Sequence, residues 1–387
     1  MRRKRIIEAA ELIGIFGAIA ALVVYPKESV DAAKNGISLC LNAIVPSLFP
    51  FFVLSTLIVR TDVTRHLSRA LGRVMRPLFN VGGSCSAAFV LGFVGGYPVG
   101  AKTVISLYEN GSCTKTEAER LLSFCNNSGP AFIFGVVGAG VFGSGKVGLL
   151  LYLAHTAASV LVGVLFRFYG RSRAEDVRKP RTAKPMRFLP AFSESVGTAF
   201  TSTLNICGFV IFFTVLIKLL FISGALPWAA RLVGELLAPF GMTAPWAERM
   251  LTGVIEISSG VWTLRGAEGQ IASSVAMAAF MLGWAGLSVH SQVLSFIGES
   301  GLSVRTYIAG KLLQGAVSAA IIFGLGKLAA FGVPASALYA EEVYKLSEVT
   351  FFRAFVVSCV GSGVVFALLL GIVWFAYRRD MKRNGML

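Results

Sequence analysis

The chain has 387 residues, of which 55% are hydrophobic and only 14% charged, and its mean hydropathy is +0.72. That balance excludes an ordinary soluble domain, because apolar surface on this scale is covered only by lipid or by other membrane helices. The net charge of +16 is a topology signal rather than a nucleic-acid footprint, since 21 of the 36 Lys and Arg fall in four clusters between apolar runs.

In chain order, Arg2, Arg3, Lys4 and Arg5 precede an apolar run at 12–25. Glu8 and Glu11 interrupt a signal-peptide pattern and no small-x-small cleavage site follows before Pro26. An uncleaved signal-anchor helix is expected, with 26–36 as an outer loop. A second run covers 37–59. Runs of about 20 apolar residues span hydrocarbon as helices, because lipid offers the backbone no other partner. The lack of ten-residue alternation argues against a β-barrel. Residues 62–80 place Arg65, Arg69, Arg73 and Arg76 on one face, opposite Leu67, Leu71, Val74 and Leu78. This spacing predicts an amphipathic helix on the cytoplasmic surface. Segment 84–108 is long enough to span, but Gly95-Gly96-Tyr97-Pro98-Val99-Gly100 cuts it in two. A re-entrant hairpin is expected, its tip tolerated only where it is buried in protein or lines a cavity. Runs at 123–142 and 147–168 follow, then a basic, Pro-containing linker.

The second half reads as a copy of the first. Residues 44–78 and 206–240 match at an offset of 162, with Ile44, Phe51, Val53, Leu54, Leu57, Gly72 and Pro77 on Ile206, Phe213, Val215, Leu216, Leu219, Gly234 and Pro239. Gly100 and Thr103 then meet Gly260 and Thr263, and Phe124 meets Phe280. The amphipathic element is basic at 62–80 and nearly neutral at 225–240, so the copies are expected to be inverted, the usual build of a secondary transporter. A second hairpin is predicted at 247–266, with runs at 196–222, 270–297, 305–331 and 352–377. The resulting reading is an all-α polytopic membrane protein with about eight full crossings and both termini inside. Its divisions are 1–36 (anchor and outer loop), 37–168 (first repeat), 169–195 (linker), 196–331 (inverted second repeat) and 332–387 (outer loop, last helix and basic tail).

Four polar constellations interrupt the apolar runs. They are Tyr97 with Lys102; Asn126, Asn127 and Ser128 before Gly129-Pro130; Glu256, Ser258 and Ser259; and Trp284, Ser288 and His290. The internal match pairs the first with the third and the second with the fourth, so one substrate site built from four breaks is expected. Half-helix amides would hold an anion there, while carbonyls and side chains would hold polar edges or a cation. Glu256 is costly in lipid and reads as functional, or as a partner of Arg249, Lys102 or Arg265. His290 reads as a core histidine or a proton relay. His155 and Lys311 read as helix–helix hydrogen-bond partners, and Lys218 as a snorkelling side chain. The six cysteines, with no CxxC spacing, read as small buried hydrophobes. No phosphate loop, HExxH or GxSxG is present, so neither an enzyme nor an ATP-driven pump is indicated. No cofactor is expected beyond a coupling ion, H+ or Na+.

The stretches NAIVPSLFPFFVLSTLIV, GGYPVGAK and FCNNSGPAFIFGVVG resemble the YlbJ/SpoVV family of sporulation integral membrane proteins, in the nucleoside-recognition (Gate) group, and the resemblance covers roughly 37–331. It implies a fold similar to the core of concentrative nucleoside transporters. It also implies movement of dipicolinic acid across the outer forespore membrane, which composition and spacing do not indicate. Dipicolinate is a planar aromatic dianion, with which Tyr97, Lys102, Asn126, Asn127, Ser128 and Trp284 are chemically compatible. Glu256 opposes a dianion unless it is protonated or binds a coupling cation. The partners implied are a small anionic substrate and the bilayer, not nucleic acid, with a homo-oligomer left open. The competing readings are a nucleoside-type carrier, a gated channel and a non-transporting sporulation scaffold.

Overall fold

The computed structural model describes residues 2–60, 63–170, 187–267 and 271–328, whose regular structure is all helical, with no strand. The first half comprises α1 (Arg2–Val24), α2 (Pro26–Leu39), a π-turn at Cys40–Ile44, α3 (Val45–Arg60), α4 (Val63–Phe79), α5 (Ser86–Val94), α6 (Val99–Glu109), α7 (Lys115–Phe124), a π-helical segment at Ala131–Val141, and α8 (Gly145–Phe166). The second half comprises α9 (Phe188–Ile222), α10 (Ala225–Leu236), α11 (Ala244–Ile255), α12 (Ile257–Trp262), α13 (Ile271–Trp284), α14 (Gly286–Ser300) and α15 (Val304–Leu328).

The two halves run through the same order of elements. The continuous helix 26–60 and α9 at 188–222 have both ends displaced by 162 residues, and α4 and α10 begin at positions with that same displacement. Among the described residues four helical stretches are long and apolar enough to cross a membrane: Gly145–Phe166, Phe188–Ile222, Ile271–Gly298 and Val304–Leu325. Two bent pairs, Leu12–Val24 with Pro26–Ile44 and Leu71–Phe79 with Gly83–Val94, pass the same test together.

Several expectations need correction. Residues 26–36 are helix, not loop: Pro26 ends α1, then starts α2 at a first-turn position where its missing N–H costs nothing, and the two helices meet at 100°. Helix α9 begins at Phe188, inside the stretch expected to be linker. The run 123–142 is broken after Phe124, as its Asn-Asn-Ser-Gly-Pro stretch leads one to expect. Residues 125–129 are unwound, because Pro130 cannot donate to the preceding turn, and the chain resumes as a π-helix. Helix α4 is amphipathic as expected, but its core face is Leu71, Met75 and Phe79 rather than Val74 and Leu78, while Arg73 and Arg76 are exposed. The span expected at 352–377, and most of the 169–195 linker, lie outside the described residues.

Each half closes on the other. Helix α15 packs against α7, α8 and α13, and α8 also packs against α13. At one end Arg120, 6% exposed, donates to the carbonyls of Asn80, Tyr169 and Gly170. Its neighbour Glu119 accepts from the Ser303 N–H and the Tyr169 hydroxyl. This pair ties the ends of α4 and α8 to the turn before α15. A capping box from Thr114 and Glu117 fixes the start of α7 beside it. On the opposite flank, Arg60 at the end of α3 pairs with Glu194 of α9.

Candidate functional site

The first hairpin breaks between α5 and α6, where Gly96 takes φ +71, a conformation open to glycine at no steric cost. The second breaks at Glu256, whose extended backbone ends α11 and caps α12. Its two carboxylate oxygens accept from the Ser258 N–H at 3.0 Å and the Ser259 N–H at 2.6 Å. Those two bonds to backbone amides hold the carboxylate, and the Lys102 ammonium, one of the expected partners, lies 4.8 Å from the Phe296 ring centre. Lys102 is therefore turned away from the first hairpin tip.

The long helices of both halves break as well. Between α7 and the π-helix, residues 125–129 are unwound. Between α13 and α14 a single residue suffices, with Ala285 at φ +82 followed by Gly286 at +83. The freed carbonyl of Phe124 is taken by the Asn127 amide at 2.8 Å and the Ser159 hydroxyl at 2.7 Å. The Ser128 N–H goes to His155 Nε2 at 3.2 Å. The α14 N-terminus carries no side-chain cap.

All four breaks meet at one cavity of about 40 Å³. Gly96 and Tyr97 come from the first hairpin, Ser128, Gly129 and Phe132 from the first broken helix, Glu256, Ile257 and Ser258 from the second hairpin, and Ser288, Val289 and Gln292 from α14. Ile44 and Leu48 on one side and Ile206 and Val210 on the other close it with matching apolar walls from the two halves. Two lining hydroxyls, Ser128 Oγ and Ser288 Oγ, are buried without a hydrogen-bond partner among the described residues. A volume of about 40 Å³ holds a few waters, not a metabolite.

Behind Tyr97 lies a second, buried layer of polar side chains. The Lys311 ammonium of α15 donates to Tyr97 Oη at 3.0 Å, the Asn126 carbonyl at 2.8 Å and Gln314 Oε1 at 2.7 Å. Gln314 donates to Asn127 Oδ1 at 2.7 Å. Tyr307 Oη contacts Asn126 Nδ2 at 3.4 Å and His290 Nδ1 at 2.9 Å. Trp284 packs edge-on against the His290 ring and donates to the Val254 carbonyl. Ser259 does not line the cavity; its hydroxyl meets that of Thr214 on α9.

Of the sequence-derived candidates, Tyr97, Ser128, Glu256, Ser258 and Ser288 therefore line one space. Asn126, Asn127, Trp284 and His290 form the layer behind it, and Lys102 joins neither. Gln292 closes the fourth polar constellation of the sequence, Gln314 and Tyr307 were not singled out for the site, and Lys311 was read first as a helix–helix partner, with a functional role as the alternative. An amide three residues after a lysine in an apolar helix shares its face, and that signal points to Gln314. Among the described residues no group of three or more His, Cys, Asp or Glu is placed to hold a metal ion. The five described cysteines are free and buried.

Residues 42–171 match the Gate family, described as nucleoside recognition. This Gate region supplies the first hairpin and the first broken helix. The chain is also 29% identical over 326 residues to the sporulation integral membrane protein YlbJ of Bacillus subtilis (strain 168), with 80% of each chain covered. Its fold is similar to that of CNTnw, a concentrative nucleoside transporter. A CNTnw variant in its intermediate 2 state gives a TM-score of 0.55 at 16% identity, covering 85% of this chain and 88% of the other. The intermediate 1 state gives 0.53 at 16% identity, covering 83% and 87%. The chain is thus an integral membrane protein with a transporter-like fold, and its Gate region belongs to the part that builds the cavity.

Proposed function

We propose that the chain is a secondary carrier of a small anionic metabolite, with dipicolinic acid across the outer forespore membrane during sporulation as its cargo. The observation that carries the reading is the convergence of two hairpin breaks and two helix breaks on one buried cavity. Inverted repeats and cytoplasmic termini belong to the same proposal, supported by the recurring element order and the charge clusters. The sporulation setting is supported by the likeness to YlbJ, and dipicolinate by the family resemblance. Anion binding is supported by the two unpartnered hydroxyls, by the uncapped first turn of α14, and by the positive Lys311 one residue behind the wall. Glu256 is the one lining group that repels an anion, so in this reading it carries a coupling proton when cargo is bound. The narrow cavity then corresponds to a contracted site that opens as the two units move apart.

The likeness to nucleoside transporters favours a second reading, a nucleoside-type carrier. Uptake of labelled dipicolinate and uridine into proteoliposomes, with and without a proton gradient, separates the two. Saturable dipicolinate uptake that responds to the gradient is expected, and Glu256→Gln should abolish that response in a protein that still folds. Uridine uptake alone would move the assignment to the nucleoside reading. Transport of neither by folded protein would support a scaffold.

A further inference from the structure

Lys311 is fully buried on a helix inside the membrane fold, and among the described residues no carboxylate is one of its hydrogen-bond partners. An isolated ammonium in such a place is costly unless each of its three protons finds an acceptor. It finds three neutral oxygens at 2.7 to 3.0 Å, and it also lies 4.9 Å from the centre of the Tyr97 ring. Each acceptor has a distinct origin. The Asn126 carbonyl is free because its helical partner four residues on would be Pro130, which has no N–H. The Tyr97 hydroxyl comes from the hairpin tip, and Gln314 Oε1 from the same helix as the lysine. Gly310 allows the approach, since a Cβ there would lie 2.2 Å from the Ser123 carbonyl oxygen.

An unwound carbonyl, a hydroxyl and an amide oxygen around one positive centre are the ligands a monovalent cation takes in a broken-helix carrier. We propose that the Lys311 ammonium is a tethered cation standing in the place of an inorganic one. It bridges the first hairpin, the first broken helix and α15, so these elements are pinned without any ion from solution. The cargo site next to it consequently needs no Na+. This inference deepens the carrier reading and rests on it for its meaning, but its test involves no cargo.

The purified chain is melted in NaCl, LiCl, KCl and choline chloride at equal ionic strength. Wild type should melt at one temperature in all four. Lys311→Ala, which empties the oxygen cage, should melt lower and recover about 2–4 °C in a saturable way with an alkali cation that fits. Lys311→Met fills the cage with an apolar chain and should melt lower with no cation response. A saturable Na+ effect on wild type would overturn the proposal, whether or not either variant folds. So would a folded Lys311→Ala that ignores every alkali cation. Neither result would touch dipicolinate or uridine uptake, so failure here is distinguishable from failure of the carrier assignment.

Discussion

Gly100→Ala is expected to leave no correctly assembled protein. A Cβ at Gly100 would sit 1.9 Å from the Cys125 carbonyl oxygen and 3.0 Å from the Gly92 Cα. Both obstacles are backbone, so no side chain can rotate away. The Cys125 carbonyl ends α7 and lodges between the two legs of the hairpin, and a Cβ at Gly92 meets it at the same 1.9 Å. Adding the methyl group must drive the hairpin off the unwound segment, at a cost above about 3 kcal/mol. Gly208→Ala on α9 is the matched control, since nothing lies within 4 Å of its added Cβ. There the change should be neutral or slightly stabilising, because alanine favours helix over glycine. Size-exclusion profiles and melting of the two variants test this, and a Gly100→Ala protein melting like wild type would refute the packing described.

Gln314→Leu should be nearly as damaging, for a different reason. Gln314 is fully buried, accepts from Lys311 and donates to Asn127 Oδ1 at 2.7 Å and towards His155 Nε2 at 3.3 Å. Leucine removes both roles and leaves a buried ammonium one acceptor short. Breaking a buried charged network from one side costs about 3–5 kcal/mol. Gln314→Glu keeps an oxygen for the ammonium and forfeits only the donor side, so it should lose less. The ranking wild type, then Glu, then Leu in melting temperature is the expected result, and Leu at wild-type stability would show that the network is not closed through Gln314.

Much of this architecture is legible in the sequence because breaks are written in Gly and Pro. Gly95 to Gly100 and Gly129-Pro130 mark interruptions that the structure places at 95–98 and 125–129. The 162-residue offset found from scattered apolar matches reappears in the ends of the long helices. What was not legible depends on side-chain direction and on backbone winding. Lys102 stands four residues after Pro98, close to the tip in sequence, yet α6 turns it to Phe296. Lys311 stands far from any break in sequence, and only the packing of α15 on α7 brings it to the Asn126 carbonyl. No residue pattern in Ala131–Val141 distinguishes a π-helix from an α-helix, since both leave an apolar segment apolar on every side. Residues 26–36 looked like loop because they are polar, but a polar stretch with Pro at its first helical position is also a helix start.

The central claim is that the cavity where the four breaks meet is where cargo binds. The most direct measurement is equilibrium binding of labelled dipicolinate to the purified protein and to the Ser128→Ala, Ser288→Ala and doubly substituted variants. Both hydroxyls face the cavity without a partner among the described residues, so their removal should leave folding unchanged. In this account each would supply a hydrogen bond to a charged group of the cargo, worth about tenfold or more in affinity. Saturable binding that weakens with each change and nearly vanishes in the double variant is the predicted result. Binding of equal strength in all four proteins would place the cargo elsewhere and contradict the account.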